Sequence, residues 1–123
     1  MGSKDLYDKQ GGRITYDQWE KLFADHEYSY VGFEDFEDRY IVTRWVGWDY
    51  DFIETLDRPI IFISLIFERY YYEYLSEETC VPKIIYRAYY YDEKGARNHH
   101  ELLTFLADQK RLDEFIKGKY NGI

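Results

Sequence analysis

Nine consecutive residues, Pro59-Ile60-Ile61-Phe62-Ile63-Ser64-Leu65-Ile66-Phe67, form the longest apolar run in the chain and constrain it more than any other stretch. β-branched and aromatic side chains suit a pleated surface, and the run is short for a buried helix, so it predicts a strand. Ile61, Ile63, Leu65 and Phe67 fall on one face and Ile60, Phe62 and Ile66 on the other, with Ser64 the one interruption. A strand that is apolar on both faces belongs in the middle of a sheet. Pro59 has no amide donor, so it is tolerated at a first strand position and fixes where pairing begins.

The rest of the chain reads as partners for that strand. Residues 1–13 are polar and end in Gly11-Gly12, which predicts a flexible N-terminal arm ahead of a single domain over 14–123. Thr15 as N-cap with Gln18 at N3 makes a capping box, and Ile14 with Trp19 makes a hydrophobic staple. A helix therefore starts there, ends near residues 25–26, and turns Trp19, Leu22 and Phe23 toward the sheet. Alternation predicts a strand over 28–33 and another over 39–48, joined by the acidic turn Glu34-Asp35-Phe36-Glu37-Asp38. Beyond the central strand, Tyr70, Tyr71, Tyr72 and Tyr74 extend or bend it, 76–82 is a loop holding Cys80, and 83–91 is a fourth strand. Asp92-Glu93-Lys94-Gly95 reads as a turn. Asn98 then caps a second helix with Glu101 at N3, a buried stripe of Leu102, Phe105, Leu106, Leu112 and Ile116, and Gly118 past its end. Short links predict an α+β fold: a four-stranded antiparallel meander sheet flanked by an N-terminal and a C-terminal helix, both on one face.

A chain of 123 residues that is 46% hydrophobic and 21% aromatic can bury a core without metal or disulfide. No apolar run approaches the ~20 residues of a membrane helix. No signal-type segment opens the chain, and Cys80 is alone. These features predict a soluble cytoplasmic protein that avoids membranes. The formal charge of −8 is uneven: residues 1–80 carry 18 acidic and 8 basic side chains, residues 81–123 carry 6 and 8. The acidic part opposes long nucleic acids, whose binding needs phosphate neutralisation, and suits a basic protein partner.

Residues 10–67 carry a pattern: a Gly-rich start, Ile14-Thr15-Tyr16-Asp17-Gln18-Trp19 opening a helix, Val42-Thr43-Arg44-Trp45-Val46-Gly47-Trp48-Asp49, and Pro59-Ile60-Ile61-Phe62 with Phe67. This frame resembles a group of small uncharacterised proteins from bacteriophages and actinobacteria. In those, a strand like "STVWLGLDH" precedes one like "PLIFETMVF" and a short helix. Trp45, Gly47, Asp49, Pro59, Phe62 and Phe67 are the matching positions, while the group's acidic residue in the second strand is Ile63 here. The resemblance implies a phage or mobile-element accessory protein and no particular chemistry.

Fifteen tyrosines are more than a core of this size needs, and eight of them lie between positions 70 and 91. Tyrosine serves recognition surfaces and stacks on flat ligands, and arginine clamps phosphate or carboxylate. Arg44, Trp45, Arg69, Tyr72, Tyr86, Arg87 and Tyr89 are the residues expected to meet a ligand. That ligand is a small nucleotide-like or other anionic molecule, or an acidic peptide, and an exposed aromatic hairpin predicts a homo-oligomer. His99-His100-Glu101 lacks metal-ligand spacing because adjacent helical residues point about 100° apart. Asp49, Asp51, Glu54 and Asp57 lack the spacing and glycine of a Ca²⁺ loop. No metal, cofactor or catalytic residue is therefore assigned. The leading reading is a non-enzymatic accessory protein that blocks a host protein, such as a defence factor, or sequesters a nucleotide-like signal. The alternatives are an acidic immunity protein against a toxin and a small enzyme using a helix-start histidine.

Overall fold

The computed structural model describes residues 5–49, 59–71 and 80–121. In chain order its elements are β1 (Leu6–Tyr7), β2 (Arg13–Ile14), α1 (Tyr16–Ala24), α2 (His26–Ser29) and β3 (Tyr30–Asp35). There follow β4 (Arg39–Trp45), β5 (Phe62–Tyr71), β6 (Cys80–Tyr90), α3 (Glu93–Asp108) and α4 (Leu112–Asn121). Strands β3, β4, β5 and β6 form one antiparallel sheet in sequence order, the meander expected of an α+β chain with short links.

The apolar run supplies the middle of this sheet. β5 is bonded on both sides, to β4 and to β6. Ile61, Phe62 and Ile66 are wholly buried and Ile63 is 6% exposed. The strand begins at Phe62 rather than at Pro59, yet Ile61 is already tied in, accepting from Val46 N at 2.9 Å and donating to Tyr90 O at 3.1 Å. Its far end extends through Tyr70 to Tyr71, one of the two outcomes expected of the tyrosines, and pairs there with Cys80–Pro82, which begin β6 instead of belonging to a loop. Pro82, opposite Arg69, is tolerated because β6 is an edge strand.

The start of α1 follows its sequence signals. Thr15 accepts from Gln18 N, and the Gln18 side chain accepts from Thr15 N. Residues 5–13, read as part of a loose arm, instead make the β1–β2 hairpin, which is clipped to the sheet end. Tyr7 N donates to Gly47 O at 2.8 Å, and the Trp45 indole donates to Tyr7 O at 3.0 Å. Gly47 has φ +84°, and a Cβ there would lie 2.6 Å from the Trp19 ring and 2.8 Å from the Trp45 ring. Only glycine fits between the two indoles in that backbone conformation.

The C-terminal helical region departs from expectation in two ways. Asp92, not Asn98, is the cap of α3, its Oδ1 accepting from Gly95 N at 2.8 Å, so the supposed turn is the helix's first turn. The buried face is also rotated: Ala96, His100, Leu103 and Leu106 face the sheet, while Leu102 and Phe105 are exposed. The helix stops where Lys110 adopts φ +57°, so Leu112 and Ile116 belong to α4. Ile41, Ile66 and Tyr86 of the sheet pack with Leu103, Leu106 and Leu112. Trp45, Ile61, Phe62 and Ala96 form a second cluster, covered by Trp19, Leu22, Phe23 and Tyr28 from the N-terminal helices.

Candidate functional site

Strand register first tests the proposed arginine and tyrosine site. Arg44 stands opposite Ile63, Arg87 opposite Leu65 and Arg69 opposite Pro82. Ile63, Leu65 and Arg69 point to one face of β5, so the three arginines share the face away from α3, but they do not converge. Six residues of strand separate the Arg44 and Arg69 positions, about 20 Å at ~3.3 Å per residue. Each described arginine has its own surroundings. Arg69 grips Asp35 through two contacts, 2.7 and 3.2 Å, and donates to Glu37 O at 2.7 Å. That hydrogen bond holds the Asp35 carboxyl below its usual range. Arg44 lies 3.9 Å over the Phe23 ring and 4.7 Å over the Tyr30 ring, and donates to Phe23 O and to Ser29 Oγ, both at 3.1 Å. Its burial lowers the guanidinium pKa, and its Nε has no hydrogen-bond partner. Trp45 and Tyr86, placed in the ligand site from sequence, are core residues at 0% and 1% exposure. They face α3, on the opposite side of the sheet from the arginines, so they cannot line the same site. Arg87 and Tyr89 are exposed on β6. Tyr72 lies outside the described residues, as do Asp51, Glu54 and Asp57. Asp49 accepts from Ile60 N at 2.8 Å.

A constellation that sequence reading did not assemble lies on the α3 side. His100 Nδ1 is 2.7 Å from Thr43 Oγ1, Thr43 Oγ1 is 2.5 Å from Ser64 Oγ, and the Tyr90 hydroxyl donates to Ser64 Oγ at 3.1 Å. The other imidazole nitrogen faces Glu34 Oε1 across a long 3.5 Å. Each hydroxyl has one proton and two lone pairs, so Ser64 accepts from Tyr90 and shares a second hydrogen bond with Thr43, which in turn bonds the imidazole Nδ1. The chain crosses all four strands. It is built around Gly32, where a Cβ would lie 2.4 Å from His100 Nε2. Burial pushes the Tyr90 phenol far above its ordinary pKa. The neighbouring His99 Nε2 meets the Tyr86 hydroxyl at 2.9 Å. A hydroxyl beside an imidazole resembles an activated nucleophile. Thr43 and Ser64 are wholly buried, however, and His100 is nearly so. These groups satisfy one another inside the core, as buried polar groups must.

An accessible concavity lies elsewhere among the described residues. A cleft of about 470 Å³ opens between the β1–β2 hairpin and α1, lined by Leu6, Ile14, Tyr16, Trp19 and Trp48 with Asp5 and Arg13 at its edge. Tyr16, Trp19 and Phe23 follow the i, i+3, i+7 spacing of one helix face. Their rings run continuously: Tyr16 to Trp19 at 5.6 Å, Trp19 to Phe23 at 4.8 Å and Trp19 to Trp48 at 5.9 Å. The Trp19 indole is held by donation to Val46 O at 2.7 Å, and Tyr16 is 62% exposed. Arg13 and Asp5 form an exposed ion pair at 3.0 Å. The signals for the buried chain were present in the sequence: Ser64 interrupts an apolar strand, and Thr43 shares an inward row with Ile41 and Trp45. The cleft left no comparable signal, because its walls come from three separated stretches.

No protein-family model matches the chain, and neither does a curated protein or a solved structure. Among the described residues no cluster of three or more His, Cys, Asp or Glu could hold a metal ion, and no helix is long and apolar enough to cross a membrane.

Proposed function

We propose that this chain is a non-enzymatic binding protein that recognises a segment of another protein in the aromatic cleft. The observation that carries this reading is the continuous row of Tyr16, Trp19 and Trp48 along a concave, charged-edged surface. Trp, Tyr and Arg are the side chains that dominate binding energy at protein interfaces. The reading agrees with the accessory role that the strand-pair resemblance implies, since a protein that blocks a host factor needs a recognition surface and no turnover. Sequestration of a nucleotide is less well supported, because Arg69 is bound to Asp35 and two of the expected aromatic partners are in the core.

Peptides selected from a random library against the intact protein provide the test, with indole fluorescence as the signal. The expected peptides bind Tyr16→Ala and Trp48→Leu at least tenfold more weakly and are not displaced by cyclic or linear nucleotides. A nucleotide that binds while no peptide does would move recognition to the arginine face. A nucleotide recovered as product would make the protein an enzyme.

A further inference from the structure

We propose that the cleft takes a cationic side chain, a lysine or arginine presented by the partner, with the cation over the Trp48 and Trp19 rings and beside Asp5. This rests on the reading of the cleft as the binding site and names what enters it. Aromatic faces attract cations through their quadrupole, tryptophan most strongly. The protein uses the same chemistry internally. Arg44 lies 3.9 Å over Phe23, Lys9 lies 4.7 Å over Tyr28, and Arg69 lies 4.7 Å over Tyr40. In the cleft the rings are tilted to one another, 35° between Tyr16 and Trp19 and 47° between Trp19 and Trp48. They therefore form a concave aromatic wall rather than a flat stack.

Charge selects the sign of the occupant. Residues 5–49, which build both walls, carry 11 acidic and 5 basic side chains. Asp5 is the carboxylate at the cleft, and its partner Arg13 is 74% exposed. An exposed ion pair of this kind is weak and exchanges readily. A partner's guanidinium can then replace Arg13 on Asp5 while stacking on the indoles, and Arg13 turns to solvent. The acidic excess draws such a partner in from a distance and does so less as salt rises.

The test titrates the ¹⁵N-labelled full chain with four capped tripeptides, acetyl-Gly-X-Gly-amide with X as Arg, Lys, Glu or Leu, following the indole N–H signals of Trp19 and Trp48. The arginine and lysine peptides should saturate both signals at least fivefold more tightly than the leucine peptide, and the glutamate peptide should bind most weakly. Asp5→Asn should weaken the arginine peptide at least threefold. Arg13→Gln, which frees Asp5, should tighten it at least twofold; both positions are exposed, so neither change threatens the fold. Equal binding of the leucine and arginine peptides, or indifference to Asp5→Asn, would overturn the cation while leaving the cleft as a binding site. Tighter binding of the glutamate peptide would invert the assignment to Arg13. No saturation by any tripeptide at tens of millimolar would also overturn it, and the library selection would then judge the binding reading separately.

Discussion

Gly32 is where one atom decides the most. The His100 ring rests on its Cα, and a methyl group would lie 2.4 Å from Nε2. Gly32→Ala must expel the imidazole from its place between Glu34 and Thr43 or spread β3 from α3. We expect it to cost ~1–3 kcal/mol, the usual range for overpacking, measured by urea denaturation. The loss should shrink when combined with His100→Ala, because the two changes share one clash. Tyr90 gives a pH dependence of definite sign. Its folded pKa is raised above that of an ordinary phenol, chiefly by burial, so the unfolded chain releases this proton first as pH rises. Stability is fully present below the ordinary phenol range and falls above it. Tyr90→Phe should flatten that alkaline decline relative to the parent between about pH 9 and 11, read from urea midpoints. Asp35, lowered mainly by its Arg69 hydrogen bond, acts on the other limb. Its contribution is present above the ordinary carboxylate range and is lost as pH falls through it.

At the scale of elements, α3 offers the sharpest contrast. Leu103 is wholly buried against the sheet, whereas Phe105 is 54% exposed, two positions along the same helix. Leu103→Ala should cost ~2–5 kcal/mol and Phe105→Ala within about 0.5 kcal/mol, so thermal unfolding of the pair fixes the helix phase. Counting leucines and phenylalanines in the sequence points the other way. The true face contains Ala96 and His100, whose burial becomes intelligible only once Thr43 and Gly32 are known to lie opposite. What was legible was whatever is signalled locally. The Thr15 and Gln18 box marked α1, the apolar run marked β5, and short links gave the meander. The α3 start was obscured because Asn98 with Glu101 imitates a cap inside a helix that Asp92 had already begun. The arginine site failed for a metric reason. Alternation does put Arg44, Arg69 and Arg87 on one face, but alternation carries no information about distance along a strand.

Across the whole molecule, acidic side chains dominate the half that carries the cleft, and the helical C-terminal part is mildly basic. The sheet order equals the sequence order, so neighbouring strands meet through short separations that favour fast formation. The Glu34–His100–Thr43–Ser64–Tyr90 chain behaves differently. Its members come from four strands and α3, and the chain is complete only when all five elements have docked. We therefore expect it to form in the last step of folding, after the nucleus. Thr43→Val, which removes the hydroxyl that links His100 Nδ1 to Ser64 Oγ inside the core, should cost ~1–3 kcal/mol at equilibrium. In a chevron experiment nearly all of that loss should appear as unfolding accelerated roughly fivefold or more, with refolding changed by less than about twofold. A buried row of hydroxyls would then act as a kinetic latch, setting how long the native state lasts rather than how quickly it is reached.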